Sequence, residues 1–309
     1  MKIIKVLILS AAAIFMCASF CACSFIGSVY PDADRYSLGN TEIKGKVEAI
    51  DVDWTSGELA IVYSDSAEGI VIEEKANKEL SDDEKVHWYL DGTTLKIKYA
   101  SSGKYGFFGY EKKLTLTLPS ELILDSMKIY CASASSSADA LKAEYIYLDS
   151  ASGDMQIKNI DTKKLKADSA SGKIKIDGIC TGGADIDTAS GNITLKLSGK
   201  TDELEIESSS GKIDLSLGEV GKLDVDSSSG NIKIEAEEIK EECEIDSASG
   251  SVKLVLPEEK GFFVRVDTAS GDFESDFPFT KKGSTYTYLD GGCEIEIDTA
   301  SGDITISKK

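Results

Sequence analysis

Asp149-Ser150-Ala151-Ser152-Gly153-Asp154-Met155-Gln156-Ile157 is one statement of a phrase that the chain makes again and again. Its glycine recurs at 153, 172, 191, 211, 230, 250, 271 and 302, and a related form, Trp54-Thr55-Ser56-Gly57, stands earlier. From Gly153 to Gly271 the steps are 19, 19, 20, 19, 20 and 21 residues. A period that steady marks a repeat architecture.

With each glycine as position zero, the inward-facing residues separate from the rest. Seven residues before it stand Ile146, Leu165, Ala184, Leu204, Leu223, Cys243, Val264 and Ile295. Five before it stand Leu148, Ala167, Ile186, Ile206, Val225, Ile245, Val266 and Ile297. Two after it stand Met155, Ile174, Ile193, Ile213, Ile232, Val252, Phe273 and Ile304, and the fourth position is apolar everywhere except Ser275. An alternation of period two makes each arm a strand with one buried face.

The Ser-Gly between the arms reads as a turn, since glycine accepts positive φ and serine bonds nearby backbone. Two arrangements satisfy strand-turn-strand: a stack of antiparallel hairpins, or a solenoid in which each arm pairs in parallel with the same arm of the next repeat. Like residues at like offsets fall in register only if coils stack, and a single repeat has no interior of its own. The expected fold class is therefore all-β, a parallel β-solenoid of about 19–20-residue coils with β-hairpin elaborations near both ends.

Residues 1–22 read as a signal peptide: Lys2 and Lys5 precede an apolar run from Val6 to Phe20 that is short for a membrane span. Phe20-Cys21-Ala22-Cys23-Ser24 resembles a bacterial lipoprotein signal, with Cys23 as the expected lipidated residue and Cys21 as a rival acceptor. Residues 23–40, with Gly27, Pro31, Asp32 and Asp34 and little periodicity, read as a tether. Residues 41–309 form the expected β-solenoid domain: an N-terminal coil and sheet elaboration over 41–128, then regular coils over 129–309. Within the first part, Val86-His87-Trp88-Tyr89-Leu90, Leu95-Lys96-Ile97-Lys98-Tyr99 and Leu114-Thr115-Leu116-Thr117-Leu118-Pro119 are strand-like runs with turn signals between them. Their predicted task is to cap the open end of the solenoid.

Ile129-Tyr130-Cys131-Ala132-Ser133-Ala134-Ser135-Ser136 reads as a degenerate coil with Ser136 in place of the turn glycine. Phe277-Pro278-Phe279 and Tyr286-Thr287-Tyr288, ahead of Asp290-Gly291-Gly292, predict a second hairpin over the last coils, and Lys308 and Lys309 are expected to guard an unpaired edge. Tyr105, Phe107, Phe108 and Tyr110 lie among glycines on an expected hairpin tip, where they either contact a partner or fold back onto the sheet.

Ile50-Asp51-Val52-Asp53-Trp54-Thr55-Ser56-Gly57, the Leu-Thr-Leu-Thr-Leu-Pro strand, the run of Asp-Ser/Thr-Ala-Ser-Gly coils, and Gly291-Gly292-Cys293-Glu294-Ile295-Glu296-Ile297-Asp298 together resemble the bacterial "putative adhesin" family of envelope β-solenoid proteins. The resemblance covers about residues 41 to 309. It implies an envelope location, with lipid anchoring to the outer face of the cytoplasmic membrane or the cell surface, and an adhesin-like or envelope-stress interaction role. It brings no catalytic residues.

The chain is acidic, with 34 Lys and Arg against 54 Asp and Glu and a net charge of −20. Nucleic acid is thereby a poor partner, because phosphate binding needs clustered cations. Much of the acidity is positional: Asp149, Asp168, Asp187, Glu207, Asp226, Asp246, Asp267 and Asp298 each stand four residues before a turn glycine. Stacking places them in an outward ladder about 4.8 Å apart. Such a ladder is either a solvated acidic face or a site for divalent cations, of which calcium is the candidate cofactor.

No Gly-x-Ser-x-Gly elbow, Cys-x-x-Cys pair, P-loop or dinucleotide fingerprint occurs, and the one histidine, His87, sits on an aromatic strand where packing is expected. The carboxylate spacing approaches that of a retaining glycosidase, but a ladder supplies it everywhere and singles out no pair. Cys131, Cys180, Cys243 and Cys293 are expected to be mostly free, buried thiols, with Cys131 and Cys243 in apolar columns. The expected function is non-catalytic presentation of an acidic, hydroxyl-lined face to an envelope protein or polysaccharide. The alternatives are a cation-dependent polysaccharide enzyme on a β-helix and a purely structural surface spacer.

Overall fold

Alternation of apolar and polar side chains is carried through into the architecture, because a strand that buries every second residue needs the next coil against its edge and not against its face. The computed structural model describes residues 29–104 and 111–309. These fall into two units, one ending at Ile176 and the other spanning Asp177–Lys309. Each is a parallel β-solenoid. The signal segment with Cys23, and the aromatics Tyr105, Phe107, Phe108 and Tyr110, lie outside the described residues.

In the first unit, Leu124–Cys131 pairs in parallel with Leu141–Ser150, which pairs in parallel with Met155–Ser169. Ile129, Leu148 and Ala167 are thereby stacked in register, all buried. The coil of Gly57, built from Ala49–Trp54 and Glu58–Ser64, is not the outermost one. Val52 pairs with Ile129 on one side and with Ile97 on the other, while Leu59 pairs with Ser136 and with Leu114. Residues 94–98 and 112–119 therefore make a further coil beyond it.

That outer coil is covered by antiparallel strands. His87–Asp91 lies on Thr94–Lys98, with Ser37–Leu38 beyond it, and Ile70–Ala76 lies on Lys112–Pro119, with Thr41–Ile43 beyond it. The capping task expected of this elaboration is thus performed, and the elaboration also supplies a rung of its own.

Register corrects the degenerate coil. Ser136 lies opposite Met155, two residues past a turn, so the turn position belongs to Ala134 and the 19-residue step is kept. Ser136 points inward and is buried, as its alternation with Ala134 requires. Cys131 consequently sits three residues before the turn, opposite Ser150, in the column of hydroxyls and not in an aliphatic one.

In the second unit Ile206, Val225, Ile245, Ile297 and Val266 are neighbours in that spatial order, and the trailing arms follow the order Ile213, Ile232, Val252, Ile304, Phe273. The Gly302 coil is therefore inserted between the Gly250 and Gly271 coils, and the Gly271 coil is outermost. Val266 and Phe273 are accordingly only half-buried. Lys308 does not guard an edge: Ile304–Lys308 is paired on one side with Val252–Leu256 and on the other with Phe273–Ser275. Lys309 reaches Glu235 at 3.2 Å and also Glu237. The predicted hairpin is present as Thr280–Lys282 and Thr285–Tyr288, laid antiparallel on Phe262–Thr268. Its exposed lysines, Lys281 and Lys282, are the edge charges. Phe262, Phe277 and Tyr288 close this end with ring centroids 4.7–5.5 Å apart.

Candidate functional site: a carboxylate lattice and a buried lysine

Residues four, six and eight before each turn alternate with the buried columns and so face outward together. In the second unit the first of these columns runs Glu207, Asp226, Asp246, Asp298, Asp267 in pairing order. The next runs Glu205, Asp224, Glu244, Glu296, Arg265, and the third Glu203, Lys222, Glu242, Glu294, Phe263. Stacking thus converts one acidic ladder into a two-dimensional lattice interrupted only by Arg265, Lys222 and Phe263. Of the other carboxylates expected to line up, Asp149 pairs in register with Asp168 in the first unit, and Asp187 stands half-buried in the second. The inner columns were legible as the acid-x-acid alternation of Asp224-Val225-Asp226 and Glu294-Ile295-Glu296-Ile297-Asp298, a signal the single-column reading passed over.

Like charges at coil spacing raise one another's proton affinity. Asp226 is pushed up to about 7, first by burial and then by Asp224, Asp246 and Glu207. Asp246 is pushed up to about 6, by burial and then by Asp298 and Glu244, and Asp224 is raised for the same kinds of reason. Arg265 is the exception that relieves the array, reaching Glu296 at 3.5 Å and also Glu294. Together with Glu242 and Glu244 these residues line a shallow groove. Among the described residues no group of three or more His, Cys, Asp or Glu converges as a metal cage requires.

A pH dependence with a definite sign follows. The folded pKa values of Asp226 and Asp246 lie above the ordinary carboxylate range, so the folded state holds protons that the unfolded chain has lost. Stability should therefore fall as pH rises from about 4 to about 7, by on the order of 1 kcal/mol per carboxylate after solvent screening. Melting curves at constant ionic strength are expected to show Asp226→Asn and Asp246→Asn raising the melting temperature at pH 8 by a few degrees and leaving it unchanged at pH 4. Equal effects at both pH values would contradict the assignment.

The turns differ along the chain. Ser150 and Ser169 donate from Oγ to the carbonyls of Gly153 and Gly172, at 2.8 and 3.0 Å, and the Gly191 amide donates to Thr188 Oγ1 at 2.9 Å. These contacts satisfy backbone groups of the corner and bury the hydroxyl three residues before each turn, so the expected hydroxyl-lined face keeps only the exposed serines beside the glycine, such as Ser152 and Ser171. From the Gly211 coil on, the hydroxyls of Ser208, Ser227, Ser247 and Thr299 are buried without a protein partner. There the glycine amides of Gly211, Gly230 and Gly250 donate instead to the serine carbonyls of the next rung. Outside the corner, Asp154, Asn192, Asn231 and Asp303 each accept a backbone amide from the adjacent coil, which gives the recurrent Asp or Asn after the glycine its reason.

One group that sequence reasoning missed is Lys112. It stands in the outer coil at the place of the turn glycine, against Gly57, with a side chain that has no exposure. Its Nζ lies 2.6 Å from Glu74 Oε1 and donates to the Tyr99 and Glu84 carbonyls, each at 2.5 Å. The Tyr99 and Trp54 rings lie 4.0 and 5.0 Å from it. The two carbonyls take hydrogen bonds from the ammonium while Glu74 supplies the counter-charge, and burial still lowers its pKa despite Glu74. No local pattern around Lys112 announces this: its partners come from three other segments.

His87 is buried, with Nδ1 2.8 Å from the Lys85 carbonyl, as the packing reading expected. Cys131, Cys180, Cys243 and Cys293 are all buried, and none of the four is in a disulfide. Burial raises the thiols of Cys131 and Cys293, to about 12 and about 11. Thiolates, the reactive form, are thereby disfavoured.

A family model described as Toastrack DUF4097 matches residues 47–307. No curated protein sequence matches the chain. Similar solved structures include a "putative adhesin" from Bacteroides fragilis, 16% identical, covering 88% of this chain and 97% of that one with a TM-score of 0.40. A "putative lipid binding protein" from Parabacteroides distasonis is 18% identical, covers 89% and 97%, and has a TM-score of 0.35. A "putative cell adhesion protein" from Clostridium sporogenes is 11% identical, covers 89% and 100%, and has a TM-score of 0.25.

Proposed function

The chain belongs to the Toastrack DUF4097 family, and from that premise we propose that it works without catalysis, as a cell-envelope module presenting a repetitive acidic face to a basic partner. The observation that carries this reading is the carboxylate lattice of the second unit, where Glu244, Asp246, Glu296 and Asp298 lie on adjacent rungs in register. The array is rigid because every carboxylate stands on a strand whose alternate residues are locked in the interior. A rigid lattice loses little entropy on binding, which favours a partner carrying lysines or arginines at matching intervals.

The partner chemistry that fits is an exposed basic segment of an envelope protein. An acidic polysaccharide fits only with divalent cations, such as calcium, shared between the two surfaces. Lipidation at Cys23 would tether the face to the outer side of the cytoplasmic membrane or to the cell surface. The thiols, high in pKa and buried, suit a protein that takes no part in redox chemistry.

The test is a photo-crosslinking side chain at Lys222 in living cells, compared with the same protein carrying Glu244→Gln, Asp246→Asn, Glu296→Gln and Asp298→Asn. The neutralised protein is expected to melt at or above the parent temperature at pH 8 and to lose the crosslinked partner. Raising salt from about 0.1 to 0.5 M should weaken capture by the parent in parallel. Capture indifferent to both changes would reject the acidic face as the binding surface. Added calcium or chelator then distinguishes direct contact from a cation-bridged one.

A further inference from the structure

The Gly302 coil lies where chain order would not put it, and its surroundings match it on both sides. Gly250 and Gly271 are 21 residues apart, close to the 19 or 20 residues by which coils of the regular stack sit directly on one another. Yet Ile297 lies between Ile245 and Val266, and Asp298 between Asp246 and Asp267, in one unbroken register. Were residues 293–308 withdrawn, Ile245 would meet Val266 and Asp246 would meet Asp267 with no side chain changing face.

The connection is built to allow this. The capping strand Thr285–Tyr288 pairs with the opposite edge of Phe262–Thr268 from the one that Cys293–Thr299 uses, so the cap need not move. Between the cap and the inserted coil lie Leu289 at φ 49°, Gly291 at φ 81° and Gly292 at φ 157°. Leu289 is a non-glycine residue in the left-handed region and is exposed, which stores strain at the point where the coil departs. Short strained hinges favour exchange of the element they carry.

We propose that the Gly302 coil is a removable rung. The chain interconverts between the arrangement described and one in which the Gly250 and Gly271 coils stack directly, and the released coil enters the same slot of a second copy. The slot is equally matched to either source, because a second copy carries the same coil at the same offsets. Withdrawal breaks ladder pairing on two faces of one coil and restores pairing on one, so it falls short of unfolding the unit.

Disulfide trapping tests this in the full chain. Asp246 and Asp267 are two rungs apart, about 9.6 Å by strand spacing, beyond the roughly 7 Å Cα limit for a disulfide, and come within reach only when the intervening coil leaves. Glu207 and Asp246 are also two rungs apart, with the regular coil of Asp226 between them. Under mild oxidation, Asp246→Cys with Asp267→Cys is expected to crosslink at least about 10-fold faster than Glu207→Cys with Asp246→Cys, mapped by mass spectrometry. Equal rates would overturn the proposal. Copies carrying only Asp246→Cys, mixed with copies carrying only Asp298→Cys, should also yield an interchain disulfide between those positions. Its absence would overturn the entry of the coil into a second copy.

Discussion

Replacing Lys112 with alanine is expected to destabilise the protein by about 3–5 kcal/mol, because it strands the Glu74 carboxylate in the capped end with its counter-ion gone. Glu74 is only 4% exposed on its side chain, so water cannot take over. The Tyr99 and Glu84 carbonyls lose a donor at the same time. Urea unfolding followed by tryptophan fluorescence reports directly on the site, since Trp54 is buried beside the ammonium. Substituting the pair, Lys112→Met with Glu74→Leu, should recover most of the loss, because an apolar pair of similar volume avoids the desolvation cost of both ions. A double variant as unstable as Lys112→Ala would mean that the carbonyl contacts and not the ion pair carry the energy.

Gly230→Ala is expected to cost roughly 3 kcal/mol, against about 1 kcal/mol for Gly199→Ala. Both glycines have positive φ, 125° at Gly230 and 80° at Gly199, so alanine carries a conformational penalty at each, the larger at Gly230, which lies farther from the left-handed region open to L residues. They differ in what a Cβ would touch: it would lie 2.0 Å from the Gly211 carbonyl oxygen at Gly230, and at Gly199 there is nothing within 4 Å. The obstacle at Gly230 is backbone of the adjacent rung, which moves only if two coils part. Denaturant titration of the two variants side by side measures the combined cost of close approach and the larger φ at Gly230, and equal losses would remove the close-approach argument.

The inward columns were readable in advance because strand alternation is a property of the backbone itself: Ile206, Val225 and Ile245 had to share a face once they shared an offset. The capping strands near Trp88 and the aromatic hairpin near Tyr286 were readable from their turn residues. The turn of the degenerate coil was misplaced by two residues, from Ala134 to Ser136, because period two leaves a shift of two invisible to the burial pattern. The acidic ladder was foreseen as one column. Its neighbours Asp224, Glu244 and Glu296 became part of it only when register fixed how the strands lie against one another.

Sequence by itself determined the coil: its length, its turn, the residues it buries and the acids it shows. Tertiary structure alone decided the order of the coils and the burial of Lys112. The physical reason is the same in both cases. Repeats with identical offsets pair equally well with any neighbour, so which coil follows which is settled by connections and end caps at a distance. The Lys112 ammonium is tolerable only because Glu74, the Glu84 carbonyl and Tyr99 arrive around it from elsewhere in the chain.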